Sequence, residues 1–385
     1  MTRPRAASVA TATARHPLPD RRRLGILLGL VLCVAPVAAA RAEPGIRVLD
    51  LPFKVRALRG SRSEAAVSVA TSGLLPITGA KIGRQAGDEE SAPIAVVWGD
   101  EGGAVLALAE GRVTVRPIGQ EAVEGLTAAE TPRGALPGSR RALSGPMSAY
   151  LTGRTRAPDG GAAAAVLTIR ERQPMAVSTD PKPVPVTTVT VPAGGEAVFA
   201  PLRPRLLRLA GRPALLAATL SGTEAGGLVL IDRPKDDPGT PWSVTARTPP
   251  QPGPPLKIAG IADFSGSGDL QAATISGRGR LQLWTLHPDR IEPAGEAAGY
   301  AAGEGDSDLA VAVAWGGPEL VLPVAGRPEI AVVAAKGGLH ERLRVTLPAP
   351  AETGIVVLGE GAAERLLVGL ADGRVAVVTP DGGTP

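Results

Sequence analysis

Most of this chain alternates short apolar runs with glycine-containing turns. The stretches "DEGGAVLALAEGRVTVRPI" (100–118), "AGRPALLAATLSGTEAGGLVLIDR" (210–233), "GSGDLQAATISGRGRLQLWTL" (266–286), "GGPELVLPVAGRPEIAVVAA" (316–335) and "GAAERLLVGLADGRVAVVTP" (361–380) each read as turn, strand, turn, strand. Apolar runs this short, bounded by glycine and rich in Val, Leu and Ile, are strand signals; a helix needs a longer uninterrupted pattern.

The units recur. Aligned on the residue before the first strand, the last four copies give Ala214, Asp269, Glu319 and Glu364, separated by 55, 50 and 45 residues. Ala104 lies 110 residues before Ala214, which leaves room for a further copy around "GAAAAVLTIRERQPMAVS". The strands "IAVVWGD" and "AVAVAWGG" also match, each ending in Trp-Gly. Strand-turn-strand units at this period predict an all-β fold, a β-propeller of about seven blades, with six as the alternative. A parallel β-solenoid would want a shorter and stricter repeat, and two β-sandwiches are the other rival. A propeller must join its chain ends. Part of the strand-like segment "GIRVLDLPFKVRAL" (45–58) is therefore expected to pair with the strand around Val375–Thr379.

Composition agrees with many turns and few helices. The 385 residues include 49 Gly and 38 Pro, and aromatics are only 2%. Glu121–Pro146 and Asp236–Pro255 read as long connections within one domain, because similar strand patterns lie on both sides.

The first 42 residues change the electrostatic picture. Arg21, Arg22 and Arg23 precede the apolar run "LGILLGLVLCVAPVAAA", and Ala40-Arg41-Ala42 is a small-x-small cleavage site. Residues 1–42 therefore read as a signal peptide and 43–385 as one propeller domain, periplasmic or secreted, with no transmembrane span in the mature form. The leader holds seven of the 41 basic residues and one of the 37 acidic ones, so the remainder carries 34 against 36, a net charge of −2. The basic isoelectric point thus gives no support to nucleic-acid binding. The single cysteine, Cys33, lies in the leader, so the remainder has neither a disulfide nor a thiol.

The stretch "IAGIADFSGSGDLQAATISGRGRLQLW" resembles an FG-GAP/VCBS-type repeat: an apolar strand, Asp-Phe, a Gly-rich Asp loop and a strand leading to a hairpin. The chain over about 199–380 is similar to exported repeat proteins of that type, with a weaker echo at 92–118. The resemblance implies a propeller and no enzyme activity. In that family the loop carboxylates bind calcium. Here the matching positions are Asp263, Ser265, Ser267 and Gln271, with Asp269 displaced. Calcium wants six or more hard oxygens and enough negative charge to replace water. The reading of the residues is a relic turn, in which Gly266 and Gly268 allow the chain to reverse and Asp263, Ser265 and Ser267 bond to nearby backbone N–H groups. Calcium at this loop is the one cofactor left open; no other is expected.

Catalytic constellations are sparse. His287 and His340 lie on different repeats, each near a strand end. There is no G-x-S-x-G elbow, P-loop lysine or H-E-x-x-H helix. Carboxylate pairs such as Glu89–Glu90 and Asp236–Asp237 read as solvated loops. Trp98, Trp284 and Trp315 each end a strand and are candidates either for packing between blades or for a stacking surface at a mouth. The function expected is a non-enzymatic binding or scaffold module of the cell envelope, with a protein or glycan partner. The alternative is a propeller enzyme acting on glycans through loop carboxylates.

Overall fold

A computed structural model describes residues 45–61, 63–71, 94–173, 184–222, 225–233, 240–303, 308–313, 315, 317–359 and 363–379. The leader with Ala40 and Ala42, and the pairs Glu89–Glu90 and Asp236–Asp237, lie outside them.

The protein is a β-propeller built from four-stranded antiparallel meanders. The first comprises β2 (Ala57–Arg59), β3 (Ile94–Gly99), β4 (Gly102–Ala109) and β5 (Arg112–Ile118). The second comprises β6 (Ala142–Ser144), β7 (Met147–Arg156), β8 (Ala162–Arg172) and β9 (Val186–Pro192). The short β10 (Val198–Phe199) pairs with β8 and with the following meander, β11 (Arg205–Leu209), β12 (Arg212–Ser221), β13 (Ala225–Asp232) and β14 (Ser243–Arg247). With β15 (Gln251–Pro252) against β13, these become one ten-stranded sheet. The fourth meander is β16 (Lys257–Ala262), β17 (Gln271–Ile275), β18 (Arg280–Leu286) and β19 (Ile291–Ala298). The fifth is β20 (Val311–Val313), β21 (Glu319–Pro323), β22 (Glu329–Ala334) and β23 (His340–Thr346). The sixth takes β24 (Ala351–Leu358), β25 (Arg365–Leu370) and β26 (Val375–Thr379) from the end of the chain and its fourth strand, β1 (Gly45–Val48), from the beginning. The described strands fall into six such meanders.

The expected seam is present. Gly45, Ile46, Arg47 and Val48 pair antiparallel with Thr379, Val378, Val377 and Ala376. Leu49 N–H adds a bond to Val375 O at 2.9 Å. The pairing stops there, so only the first part of residues 45–58 is the seam strand; Ala57–Arg59 opens the first meander instead.

Burial follows position in the meander. The inner strands β3, β17 and β21 are buried throughout, whereas the fourth strands β5, β19 and β23 are mostly exposed. This explains why the sequence shows continuous apolar runs: an inner strand is covered on both faces by its neighbours. The apolar clusters lie between consecutive meanders. One joins Leu151 and Leu167 to Leu215 and Val229, another joins Leu216 and Leu230 to Ala272 and Trp284, and a third joins Ala273 and Leu283 to Leu320 and Leu322. Val332 and Val345 meet Leu366 and Val378 in a fourth, and Leu367 and Val377 meet Val97 and Leu106 in a fifth, which carries the core across the seam.

Two short helices cover the remaining face of the first meander. Helix α1 (Glu64–Thr71) starts where Ser63 Oγ accepts the Ala66 N–H at 3.2 Å, an N-cap. Helix α2 (Gln120–Glu130) occupies the first part of the stretch from Glu121 expected to be a connection, starting one residue before it. Its glutamates, leucine and alanines are good helix formers, and Val123 and Leu126 pack with Ala65, Ala66 and Val69 of α1 against Val96 and Trp98. The second expected connection also carries structure, since β14 and β15 lie within it.

Tight hairpins set the register. Glu110-Gly111 and Ala210-Gly211 have φ values of 50° and 77°, and 50° and 78°. Two successive positive values define the turn whose twist matches that of the strands, and glycine at the second position makes it accessible.

Candidate functional site

The first strands of all six meanders surround one cavity of about 530 Å³. Its wall includes Gly60, Leu143, Leu206, Ile258, Val311 and Val356, contributed by the ends or bodies of β2, β6, β11, β16, β20 and β24. First strands of neighbouring meanders approach one another around the ring, β2 with β24, β24 with β20, β20 with β16, and β11 with β6. The cavity exists because each meander begins at the axis and the seam closes the circle.

Its chemistry comes from charged residues placed where the first strands begin. Arg140 and Arg141 precede β6, Arg203 precedes β11, Arg205 and Arg208 lie on β11, and Asp308 precedes β20. Asp308 is the hub. Its Oδ2 accepts from Arg140 Nη1 at 2.7 Å and its Oδ1 from Arg203 Nη2 at 2.8 Å, with Arg205 Nη2 at 3.9 Å. The Asp308 carbonyl accepts the Ile355 N–H of β24 at 2.7 Å. Arg205 Nη2 also donates to Ile258 O of β16 at 3.0 Å. On the other side, Glu130 at the end of α2 takes Arg59 in a fork, Nε to Oε1 at 2.7 Å and Nη2 to Oε2 at 3.3 Å, with Arg140 at 3.9 Å. Arg141 pairs with Glu64 of α1. One polar network therefore touches every meander and both helices.

Burial alone would raise the Asp308 carboxyl. The guanidiniums of Arg203, Arg140 and Arg205 outweigh that effect and hold it well below the usual carboxylate range. Asp308 is the only carboxylate among the described residues lining the cavity, whereas Arg141, Arg203, Arg205 and Arg208 all line it.

The residues singled out in the sequence lie elsewhere. Asp263 Oδ1 accepts the Ser267 N–H at 3.0 Å and Oδ2 the Gly268 N–H at 2.9 Å. Ser265 N–H is bonded to Gln271 Oε1 at 3.0 Å, the two hydroxyls of Ser265 and Ser267 meet at 3.0 Å, and Asp269 N–H reaches Ser267 Oγ at 3.3 Å. Gly266 and Gly268 have φ of 72° and 90°. Asp263 and Ser267 hold backbone N–H groups of the turn as expected, whereas the Ser265 hydroxyl bonds the Ser267 hydroxyl instead of a backbone N–H. No group of three or more metal-ligating side chains occurs among the described residues.

The tryptophans are interior. Trp284 is buried between the third and fourth meanders and donates from Nε1 to Thr274 Oγ1 at 2.9 Å. Trp98 is buried beneath the helices, with Arg59 over its ring at 5.2 Å. Trp315 packs partly buried against the cluster between the fifth and sixth meanders. None of the three lines the cavity, and of the two roles open to them packing is the one their contacts show. His287 lies 3.5 Å from Glu292, and His340 Nδ1 is 2.9 Å from Gly338 O; neither lines the cavity. No described helix is long and apolar enough to cross a membrane.

No family model matches this chain, and no curated protein matches it. Similar solved structures include a putative 6-phosphogluconolactonase from Bacteroides fragilis, at 12% identity and TM-score 0.39 over 73% of this chain and 75% of that one. The fungal lectin of Aleuria aurantia, described as six-bladed with a novel fucose recognition mode, matches at 13% and 0.39 over 76% of this chain and 92% of the lectin. Trypanosoma rangeli sialidase matches at 12% and 0.39 over 75% of this chain and 52% of the sialidase. The propeller assignment rests on the sheet topology and the closed seam rather than on these likenesses.

Proposed function

We propose that this chain is an exported, non-enzymatic propeller that binds a protein or glycan group of the cell envelope in its central cavity. The observation that carries the reading is the cavity itself: six first strands enclose about 530 Å³, a volume within the range of small-ligand sites, and line it with convergent polar groups. A hydrolase working through carboxylates needs one that changes protonation state during the cycle. The one described carboxylate in this cavity is held ionised by three guanidiniums, which suits positioning rather than proton transfer.

Export is proposed from the order of arginines, apolar run and Ala40-Arg41-Ala42. Leu143, partly buried on β6 and facing the cavity, is the residue with which to test the binding site. Envelope glycan fragments should bind the purified chain without being cleaved. Leu143→Trp should abolish that binding at an unchanged melting temperature. Binding unaffected by Leu143→Trp, or turnover of the bound glycan, would contradict the proposal.

A further inference from the structure

We propose that the ligand group seated in this cavity is an anion, a carboxylate or phosphate held by Arg141, Arg203 and Arg208. This rests on the reading that the cavity takes a ligand, and it names the chemistry of that ligand. Four guanidiniums and one carboxylate are the charged groups of the described lining. Asp308 is already shared, with one oxygen on Arg140 and the other on Arg203. It cannot neutralise the arginines farther along the wall.

Arg208 is the clearest of these. It is exposed at the end of β11, its Nη2 donates to the Gly211 carbonyl at 3.1 Å, and no carboxylate among the described residues lies within ion-pair distance of it. A carbonyl satisfies one N–H and cancels no charge. Arg141 immediately precedes β6, the first strand of the neighbouring meander. Its Nη2 meets Glu64, while its buried Nε has no acceptor. Guanidinium presents fixed planar pairs of donors that match carboxylate and phosphate oxygens. The hydroxyl of Ser61 adds a neutral donor on the same wall, while that of Ser63 is committed to the Gly60 carbonyl, and the aromatic rings that would favour an uncharged sugar face are absent from the described lining. The remaining wall, Leu206, Ile258, Ile261 and Val356, is apolar and would strengthen a charge-assisted bond by excluding water.

Titration calorimetry of the purified chain with inorganic phosphate, D-glucuronate and D-glucose tests this. Phosphate, glucuronate or both should bind, with affinity falling as salt is raised. Glucose, which has the same ring without the charge, should give no heat. Glucuronate alone would identify a carboxylate ligand, and phosphate alone a phosphoryl group. Arg208→Gln should weaken the binding roughly tenfold at an unchanged melting temperature, the scale of one charge-assisted hydrogen bond, and Arg208→Lys should recover part of it. Failure of both anions to bind, equal binding of glucose, or full binding by Arg208→Gln would overturn the assignment. A neutral envelope glycan that binds the wild type and not Leu143→Trp would overturn only the anion and leave the cavity as the binding site.

Discussion

Asp308 and Arg203 are 105 residues apart in sequence and meet at 2.8 Å, just where the fifth and third meanders begin at the axis. Arg140, from the start of the second meander, holds the other carboxylate oxygen at 2.7 Å. A single side chain thus ties together the second, third and fifth meanders.

Replacing that side chain should be costly. Asp308→Asn keeps the shape and removes the charge facing Arg140 and Arg203. Breaking a buried ion pair from one side costs about 3–5 kcal/mol. Chemical denaturation should show a loss on that scale; a loss below about 1 kcal/mol would mean that the network is not structural.

The pH dependence has a definite sign. The folded Asp308 carboxyl titrates well below the unfolded one, so its contribution is fully present above the ordinary Asp value of about 3.9. It is lost as pH falls through that value toward the folded one. Stability measured from pH 7 downward should fall steeply below about pH 4, and Asp308→Asn should flatten that fall. An equal acid dependence in both proteins would count against the assignment.

The loop at Asp263 makes a separate prediction. Both carboxylate oxygens already accept backbone N–H groups. Melting curves in millimolar calcium and in chelator should coincide, whereas Asp263→Ala should lower stability by about 1 kcal/mol for the lost turn bonds. A clear rise of the melting temperature in calcium would show that the loop still binds the ion.

The strands and the seam were readable from the chain because burial on both faces writes continuous apolar runs. Ala214, Asp269, Glu319 and Glu364, aligned as equivalents, do mark the start of second strands, those of β12, β17, β21 and β25. Ala104 does not: it sits on β4, the third strand of its meander. One hairpin of such a sheet looks like the next, so a strand pattern fixes the period better than the phase. Helix α2 was missed because its own apolar pattern is weak; what holds it is packing on α1 and β3, which is tertiary.

The charged network was harder to see. Its bonded side chains lie up to 168 residues apart, and nothing local links Asp308 to Arg140. The one signal was "RPRLLRL" at 203–209, where three arginines stand in and just before a short strand whose other residues are leucines. Charges at such positions are unusual for a strand beside a core and mark an interior polar surface.

Trp284 separates packing from binding. It is 2% exposed, and its indole N–H is satisfied by Thr274. Trp284→Ala should cost about 3–5 kcal/mol and leave ligand affinity unchanged in conditions where the variant is folded. An affinity loss without a stability loss would return this residue to the binding surface.

The cavity depends on the ring being closed, so the seam is the most direct test of the whole account. Hydrogen exchange of the intact chain reads it without a ligand or a mutation. If β1 completes the sixth meander, the hydrogen-bonded amides of residues 45–49 should be protected on the same scale as those of β25 and β26. Rapid exchange over 45–49, while 365–379 stays protected, would contradict closure and with it the single central cavity.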